Sequence, residues 1–363
     1  MASDYTAGSA TPFPERVARD TAPDIRKTAI DPDFWYPVAR SRDVKPGQTL
    51  AVTFAGAPIV LVRPKNAAVF ALENRCAHRQ VPLSTGVVNE CTLRCGYHGW
   101  EYDAAGKCVS VPYLDMCKEK PNNVRHYPSR EAYGLIFIFP GQLNLADQVP
   151  FPDIPSESDP NYKTRYLDRR VDCHFTFMHE NLMDMNHQFL HRKLMGSVKT
   201  MFLGMRQGEN WMEADYTFKR AGGKQHLGEK FILGERPETE PGERDLMTIR
   251  TEYPYQTLKF WTAGSEHPAL DLWNVYIPVD REQRTNHTFG LMMIRRPKIG
   301  LLLDVFWPVI VWFTNGIFAE DRWICELEQA AFDEYGADRN HEIFPAIRGL
   351  RQVLVNNGIP PTD

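Results

Sequence analysis

The sequence has few cysteines and no large excess of charge of either sign, and each lack excludes a class of protein. Its 363 residues include 7 cysteines, 42 lysines and arginines and 46 aspartates and glutamates, for a net charge of −4 at pH 7. Without a basic excess there is no broad cationic surface, so we expect no nucleic-acid partner. Five cysteines are scattered along the chain: Cys91, Cys108, Cys117, Cys173 and Cys325. Such scatter does not resemble a secreted disulfide framework, and we expect a cytoplasmic protein.

Long apolar runs are also scarce. The first 30 residues are polar and lack the apolar run of a signal peptide, so we expect a flexible or surface-draped arm. The one long apolar stretch, residues 299–319, is interrupted by Asp304, Pro308 and Asn315 and has no basic flank. This stretch predicts a buried, kinked helix, for which peripheral contact with a bilayer fits better than insertion. We therefore expect no firm membrane association.

Two short segments each combine a thiol with an imidazole. Cys76 and His78 form a C-x-H arm, Cys95 and His98 form a C-x-x-H arm, and sixteen residues separate the arms. Zinc sites usually pair ligands of one type, whereas here each arm contains one of each. Two thiolates and two neutral imidazoles are the ligands of a Rieske [2Fe–2S] cluster, whose potential lies well above that of a four-cysteine cluster. The two arms therefore predict an electron carrier of this kind.

Composition divides the chain into three parts. Residues 1–33 form the arm, residues 34–145 contain short β-branched and aromatic runs separated by turns, and residues 146–363 begin with a proline-rich connection. We expect residues 34–145 to form a small all-β domain with both thiol–imidazole arms on loops between strands. The predicted strands cover residues 48–54, 58–63, 68–73, 92–94 and 134–139.

A second group of polar residues lies on a predicted helix at residues 177–191. At about 100° per residue, Asp184, His187 and His191 share one face, and Asn181 lies one turn earlier. Leucine, methionine and phenylalanine side chains flank this polar stripe, which indicates a helix buried on most sides. Because buried polar groups need partners or ligands, the two histidines predict half of a metal site.

A Rieske arm pair followed by N-x-x-D-x-x-H-x3-H resembles the catalytic subunit of the Rieske non-haem iron oxygenases, in particular the single-subunit-type ring-hydroxylating oxygenases and O-demethylases. The resemblance covers nearly the whole chain after the arm, although many members have four residues between the histidines and this chain has three. It implies an α+β fold, in which the Rieske domain precedes a helix-grip (START-like) catalytic domain with an antiparallel sheet around a long helix. It also implies a mononuclear Fe(II) that activates O2, with electrons from NAD(P)H delivered through a reductase or ferredoxin.

The resemblance further implies that a carboxylate joins His187 and His191 as the third iron ligand, near the start of a C-terminal helix. Asp321, in an acidic pair that enters an amphipathic segment, is the better match for this carboxylate. Asp333 is the alternative, but it lies in a polar stretch that predicts a helix end.

For Asp184 the resemblance implies a bridge between subunits of a head-to-tail homotrimer. In similar enzymes an aspartate at this position bonds a cluster histidine of one subunit and an iron histidine of its own. The implied electron route runs from His98 to Asp184 of the neighbouring subunit and then to His187. A carboxylate between two imidazoles would also hold both rings in the required tautomers.

The rest of the second half predicts a sheet and a cavity. After an opening strand at 164–175, strand-like runs follow at 211–219, 245–253, 272–278 and 288–294. The segment 221–244 predicts a long loop, either a lid or a plain surface insertion. Four large side chains line the cavity or, as is commoner for such residues, belong to the core: Met183, Met205, Trp261 and Trp273.

Three functions remain open at this level. The first is an oxygenase that hydroxylates, or demethylates at O or N, a small to medium apolar molecule of aromatic or terpenoid type. The second is a respiratory-type electron-transfer protein, which would have an extra cysteine in each arm, where this chain has Val81 and Tyr97. The third is a cluster-containing sensor without mononuclear iron. An iron count would separate the oxygenase, with about three irons per chain, from a protein that holds only the cluster, with about two.

Overall fold

Both halves of the chain are built on antiparallel β structure. The structure, a computed structural model, describes residues 24–113, 121–222, 225–233 and 245–360. The strands of the first half are β1 Tyr36–Arg40, β2 Gln48–Phe54, β3 Ala57–Arg63, β4 Phe70–Glu73, β5 Val87–Asn89, β6 Thr92–Arg94, β7 Glu101–Tyr102, β8 Cys108–Ser110, β9 His126–Tyr127, β10 Ser129–Ala132 and β11 Leu135–Ile138. They form three sheets, with orders β1-β11-β10, β2-β3-β4-β9 and β5-β6-β7-β8.

Strand β3 explains how the first half packs. Its four consecutive residues 59–62 are apolar and fully buried. Because successive side chains of a strand point to opposite faces, the odd-numbered pair joins one core and the even-numbered pair joins another. The second of these cores also contains Cys76 and Cys95, so the sheet directly supports both thiol–imidazole arms.

A single seven-stranded antiparallel sheet forms the second half, with order β12-β18-β17-β16-β15-β14-β13. Its strands are β12 Tyr162–Val171, β13 Ser197–Gln207, β14 Trp211–Gly222, β15 Leu246–Glu252, β16 Tyr255–Trp261, β17 Leu270–Pro278 and β18 Asn286–Arg295. The helices are α1 Pro155–Ser158, α2 Phe175–Met183, α3 Arg192–Met195, α4 Leu227–Leu233, α5 Gly300–Val305, α6 Trp307–Tyr335 and α7 Pro345–Asn357. The 29-residue helix α6 packs against α2, α4 and β12, which confirms the expected α+β, helix-grip arrangement.

Strands β13 and β16 are absent from the sequence-based prediction. Strand β13 is the last strand in the sheet order, and its pairing with β14 shifts register between Phe202 and Gly204, so its apolar residues do not alternate. In β16 the buried positions do alternate, but one of them is Gln256, which breaks the apolar pattern. The strand predicted at 164–175 ends earlier, at Val171, because α2 begins at Phe175.

The continuous helix predicted at 177–191 is wrong. Helix α2 ends at Met183, and residues Met185–Phe189 form a separate 3-10 helix. Between them Asp184 leaves the helical region, and its carboxylate accepts a hydrogen bond from the backbone N–H of Asn186 at 2.9 Å. Short polar side chains compete with the helical backbone in this way, which explains the break.

The apolar stretch 299–319 differs from its prediction in burial. It is divided between α5 and α6 by Phe306, and Pro308 occupies the first turn of α6, where proline is tolerated. Leu301 is 70% exposed and Val305 61% exposed, so α5 presents an apolar face to solvent instead of lying in the core. Within the described chain, every helix is too short or too polar to cross a bilayer.

The described part of the expected arm is not draped on the surface. Residues 1–23 lie outside the described residues, but Ile25, Arg26 and Ile30 are buried, and Arg26 pairs with Glu180 of α2. In the predicted loop 221–244, residues 227–233 form α4, and residues 223–224 and 234–244 lie outside the described residues.

Candidate active site

The two thiol–imidazole arms form tight loops at one end of the first half. The backbone N–H of Cys76 donates to the Val81 carbonyl at 2.9 Å, and that of Cys95 donates to the Trp100 carbonyl at 2.7 Å. Gly99 closes the second loop with φ +72°, a conformation that side chains rarely adopt. Both thiols are buried, and burial together with the neighbouring Cys76 thiol raises the pKa of Cys95.

The structure brings the two predicted cluster histidines together and places both cysteines in one core. The rings of His78 and His98 lie 4.6 Å apart, and Trp100 stacks on His78 at 4.9 Å. The buried Nδ1 atom of His78 has no hydrogen-bond partner among the described residues. An orphaned ring nitrogen beside two buried thiols fits a site built to hold a metal cluster.

Sequence analysis missed Tyr102, which contacts one of the cluster residues. Its hydroxyl lies 3.3 Å from the sulfur of Cys76 and accepts from the backbone N–H of Ala77 at 3.2 Å. Burial and the adjacent Cys76 thiol raise the pKa of Tyr102, so the hydroxyl keeps its proton and can donate it to a thiolate. No spacing rule marks this tyrosine, because it reaches the loop from a neighbouring strand.

A second group of potential ligands lies between the helix break and α6. One ligand atom from each of His187, His191 and Asp321 lies within 4.8 Å of the others. The Oδ1 atom of Asp321 is 3.1 Å from Nε2 of His191 and 3.6 Å from Nε2 of His187. Despite these short distances, the His191 and Asp321 atoms have no hydrogen bond of acceptable geometry in the described structure. Groups that converge without bonding one another fit a shared cation.

The hydrogen bonds made by Nδ1 of His187 and His191 determine that Nε2 of each ring faces Asp321. His187 donates from Nδ1 to the backbone carbonyl of Asp184, and His191 donates from Nδ1 to the Glu320 carboxylate at 2.9 Å. Because a carbonyl can only accept, His187 has its proton on Nδ1 and a free lone pair on Nε2. Burial lowers the pKa of His191, but the Asp321 and Glu320 carboxylates outweigh burial and raise it above its usual value.

Asp321 and Asp333 occupy different environments, although both lie on α6. Asp321 is in the middle of the helix and not near its start, so the predicted position within the helix is wrong. Asp333 lies in the last helical turns, accepts from Gln329 at 2.7 Å and pairs with Arg284. Only Asp321 joins the two histidines, which is the arrangement expected of the better match.

Asp184 has a different set of contacts from the predicted one. Its carboxylate accepts from the backbone and side chain of Asn186, and its carbonyl oxygen, not its carboxylate, accepts from His187. An open cleft of about 540 Å³ is lined by Asp184, His187 and the exposed Phe189, together with Glu328 of α6.

A smaller cavity lies beside the group. Its volume is about 50 Å³, and its wall combines apolar side chains with Asp321 and Asn274. Met183 and Trp273 are buried in separate cores and do not line it, which agrees with the commoner expectation for such residues. Arg169 and Arg322 also reach its wall, but they bond Asn315 and Glu326 respectively.

Comparison with known families covers both halves of the chain. The family model described as the Rieske [2Fe-2S] domain matches residues 34–128. The model described as the vanillate O-demethylase oxygenase C-terminal domain matches residues 171–347. The first match contains both thiol–imidazole arms, and the second contains His187, His191 and Asp321.

Individual relatives extend the similarity. A 4beta-methylsterol monooxygenase of Methylococcus capsulatus is 30% identical over 346 residues, which are 91% of this chain and 89% of that protein. The dicamba O-demethylase oxygenase component of Stenotrophomonas maltophilia is 37% identical over 159 residues, 44% of this chain and 47% of that protein. A crystal structure of dicamba monooxygenase bound to dicamba has a TM-score of 0.69 at 24% identity, covering 93% of this chain and 98% of that one, and shares the fold.

Proposed function

The chain belongs to the Rieske non-haem iron oxygenases, and from that membership we propose that it hydroxylates or demethylates a small to medium apolar terpenoid. It is an O2-dependent oxygenase that uses a Rieske [2Fe–2S] cluster and a mononuclear iron. The terpenoid class is supported by the methylsterol monooxygenase, whose similarity covers 91% of the chain. An aromatic substrate is the alternative, supported by the dicamba O-demethylase, whose similarity covers 44%.

We propose that Cys76, His78, Cys95 and His98 hold the cluster. The orphaned Nδ1 atom of His78 and the two buried thiols support this assignment. By the same reasoning His187, His191 and Asp321 hold the iron, with each imidazole binding through Nε2. When bound, a cluster of this type supplies single electrons, and an iron held by two histidines and a carboxylate supplies O2 activation. The division into an arm at 1–33 and domains at 34–145 and 146–363 remains part of this proposal.

The protein's own contribution is to orient these ligands and exclude water. Glu320 and the Asp184 carbonyl hold the protons of the two histidines on Nδ1, which directs both lone pairs to the same point. The smaller cavity shares Asp321 with this point, so a bound substrate would lie beside the iron. Monooxygenation inserts one oxygen atom into a C–H bond and reduces the other to water, which consumes two electrons and two protons.

Electrons must come from a partner. Two relatives are named as the oxygenase component or subunit of a larger system, which supports a separate reductase or ferredoxin that draws on NAD(P)H. A head-to-tail homotrimer in the cytoplasm is the assembly that we propose, with the route from His98 through Asp184 of the next subunit to His187. The open cleft beside Asp184 supports a docking partner there.

The observation on which the proposal depends most is that Asp321 belongs both to the ligand group and to the cavity wall. The test begins with the metal content of the purified protein, where we expect about three irons per chain. The reduced protein is then screened with pooled terpenoid, aromatic and methylated compounds. Substrate-dependent O2 uptake without peroxide release supports the proposal. Two irons per chain, or O2 uptake that yields only peroxide with every compound, contradicts it.

A further inference from the structure

One buried acceptor in the cavity wall has no hydrogen-bond partner. Asn274 lies on β17 and is 4% exposed, and its Oδ1 atom is unpartnered among the residues that the structure describes. Leaving a buried amide oxygen unpaired is unfavourable, and native proteins rarely do so without a bound group or water. The same cavity contains Asp321, so the acceptor lies in the chamber next to the proposed iron.

A chain of hydrogen bonds fixes the direction of this acceptor. Gln256 donates from Nε2 to the backbone carbonyl of His179 at 2.9 Å, and a carbonyl can only accept. The Oε1 atom of Gln256 is therefore the one that faces Tyr276, whose hydroxyl donates to it at 2.9 Å. Having used its proton, the Tyr276 oxygen can only accept from Asn274, whose side chain offsets part of the rise that burial causes in the pKa of Tyr276. The Asn274 amide thus turns its N–H groups toward Tyr276 and its oxygen away.

No described residue donates to this oxygen, although the wall also contains Asn181, Arg169 and Arg322. Gly290 lies opposite Asn274 in the sheet, and a Cβ atom there would lie 2.2 Å from Oδ1, so only glycine leaves the oxygen room. The hydroxyl of Thr288 also lines the cavity but donates to Asn286 at 2.9 Å. The other wall residues without a polar group are Leu167, Val171, Met178, Leu182 and Phe318.

We propose that Asn274 Oδ1 accepts a hydrogen bond from a hydroxyl group of the substrate, which makes the substrate class a terpenoid alcohol. This inference rests on the proposed function and narrows its substrate. A single fixed acceptor in an apolar chamber orients an alcohol by one end, and so decides which neighbouring carbon faces Asp321.

The cavity is large enough for water but too small for a terpenoid alcohol without movement of its wall. A volume of about 50 Å³ holds one or two waters, each of which takes roughly 30 Å³ in the liquid. A water at Oδ1 therefore satisfies the acceptor until substrate arrives. Binding of an alcohol displaces that water and requires the unbranched and aromatic side chains of the wall, such as Met178 and Phe318, to move.

The test uses matched pairs of alcohol and methyl ether, because an ether has a similar shape but cannot donate. Borneol and lanosterol, each beside its methyl ether, are titrated into the intact, oxidised protein, and binding is measured by calorimetry and thermal shift. We expect at least one alcohol to bind about ten- to a hundredfold more tightly than its ether, since the ether leaves Oδ1 unpaired. Equal binding within each pair, or binding by none of the alcohols, overturns the inference.

Substitutions in the cavity wall test whether the preference for the alcohol over its ether depends on Asn274. Asn274→Leu removes the acceptor at similar volume and should reduce the alcohol-to-ether ratio to about one, whereas Thr288→Val removes a hydroxyl that is already bonded and should leave the ratio unchanged. If Asn274→Leu does not fold, Tyr276→Phe decides: it frees the amide to rotate, and the ratio should fall severalfold. An alcohol-to-ether ratio that stays unchanged in Asn274→Leu and Tyr276→Phe contradicts the inference.

The outcome is distinguishable from failure of the proposed function, because binding is measured without turnover. If the alcohol preference depends on Asn274 but the protein shows no productive O2 uptake, the role of Asn274 stands and the oxygenase proposal is rejected. If O2 uptake is productive but its substrates show no alcohol preference, the oxygenase proposal stands and the role of Asn274 is rejected.

Discussion

The two ligand groups differ in how the chain assembles them. The cluster residues lie within positions 76–98 and belong to two loops held by small sheets. The iron group joins a helix break to the middle of α6, and 130 positions separate His191 from Asp321. Exposure differs as well: Tyr97, next to His98, is 59% exposed, whereas His191 is 1% exposed. The first group is local, with both imidazoles partly exposed, and the second depends on the whole fold, with His191 and Asp321 buried and His187 beside the open cleft.

This difference fits a division of tasks. A cluster near the surface can exchange electrons with a partner, while an enclosed iron can hold substrate away from water. On the iron side, Asn181 lines both the cleft beside Asp184 and the smaller cavity beside Asp321.

Removing the distant ligand should abolish chemistry and leave the local site intact. We expect Asp321→Ala to lose one iron per chain and to lower substrate oxidation by at least about 1,000-fold, since a metal ion supplies several kcal/mol of transition-state stabilisation. The cluster's visible and electron paramagnetic resonance spectra should remain. Asp333→Ala is the matched control on the same helix, because Asp333 bonds Gln329 and Arg284 and not the histidines. Equal losses in the two variants would show that the iron group is wrongly assigned.

A substitution between the two sites should separate electron delivery from metal binding. We expect Asp184→Asn to retain both metals and yet to lower turnover by about ten- to a hundredfold, the range for a residue that supports metal ligands. The backbone carbonyl that accepts from His187 is unchanged in this variant, so iron binding should survive. The measurement is single-turnover product formation with a fully reduced cluster. Normal product yield and rate would reject the route through Asp184.

The helical side of the catalytic half should be more sensitive to acid than the cluster loops. His174 and His179 are buried, and burial lowers the pKa of each to about 3. In the unfolded chain both would titrate near pH 6.5, so below that pH the unfolded state binds more protons and stability falls. Stability is thus complete above pH 6.5 and should be lost by about 1.4 kcal/mol per pH unit for each histidine as the pH falls toward 3.

Hydrogen exchange followed by region at pH 7 and pH 5 measures this difference, with lower protection factors in α2 at the lower pH once the slower intrinsic exchange is taken into account. His179→Gln should roughly halve the pH dependence of unfolding, because one of the two titrating groups is gone. His126→Gln, a less buried histidine on β9 in the first half, is the control and should leave that dependence unchanged. Acid sensitivity that is equal in the two halves would contradict the prediction.

The local cluster residues could be identified from the sequence more completely than the iron group, whose residues lie far apart in the chain. The cluster arms are recognisable because all four residues fall within short, fixed spacings, and the strand before each arm, β4 and β6, is close to a predicted one, whereas β5 and β7 after the arms were not predicted. The histidine pair was also identified, but the helix assumed for it is broken at Asp184 by a side-chain hydrogen bond that periodicity does not reveal. Asp321 came from resemblance, because nothing local distinguishes it from other helical aspartates. Tyr102 and Asn274 were missed, since each contacts its site across strands.

Tyr102 is expected to have a small effect, on the reduction potential of the cluster alone. Tyr102 keeps its proton and lies 3.3 Å from the sulfur of Cys76, so it can donate to the thiolate of a bound cluster. Hydrogen bonds to cluster sulfurs stabilise the reduced, more negative state and raise the potential. We expect Tyr102→Phe to lower the midpoint potential by about 50 mV, which corresponds to roughly 1 kcal/mol for one electron.

The measurement is a redox titration followed by electron paramagnetic resonance, and Tyr127→Phe provides the control. Tyr127 is buried in the first half as Tyr102 is, but it belongs to the core that does not contain the thiols. Its loss should therefore leave the potential unchanged. Because Tyr102 is remote in sequence from the iron group, its variant should keep three irons per chain and lose rate only through slower electron supply. A shift of equal size in both variants would attribute the effect to packing, and an unchanged potential in Tyr102→Phe would show that the hydroxyl does not bond the cluster.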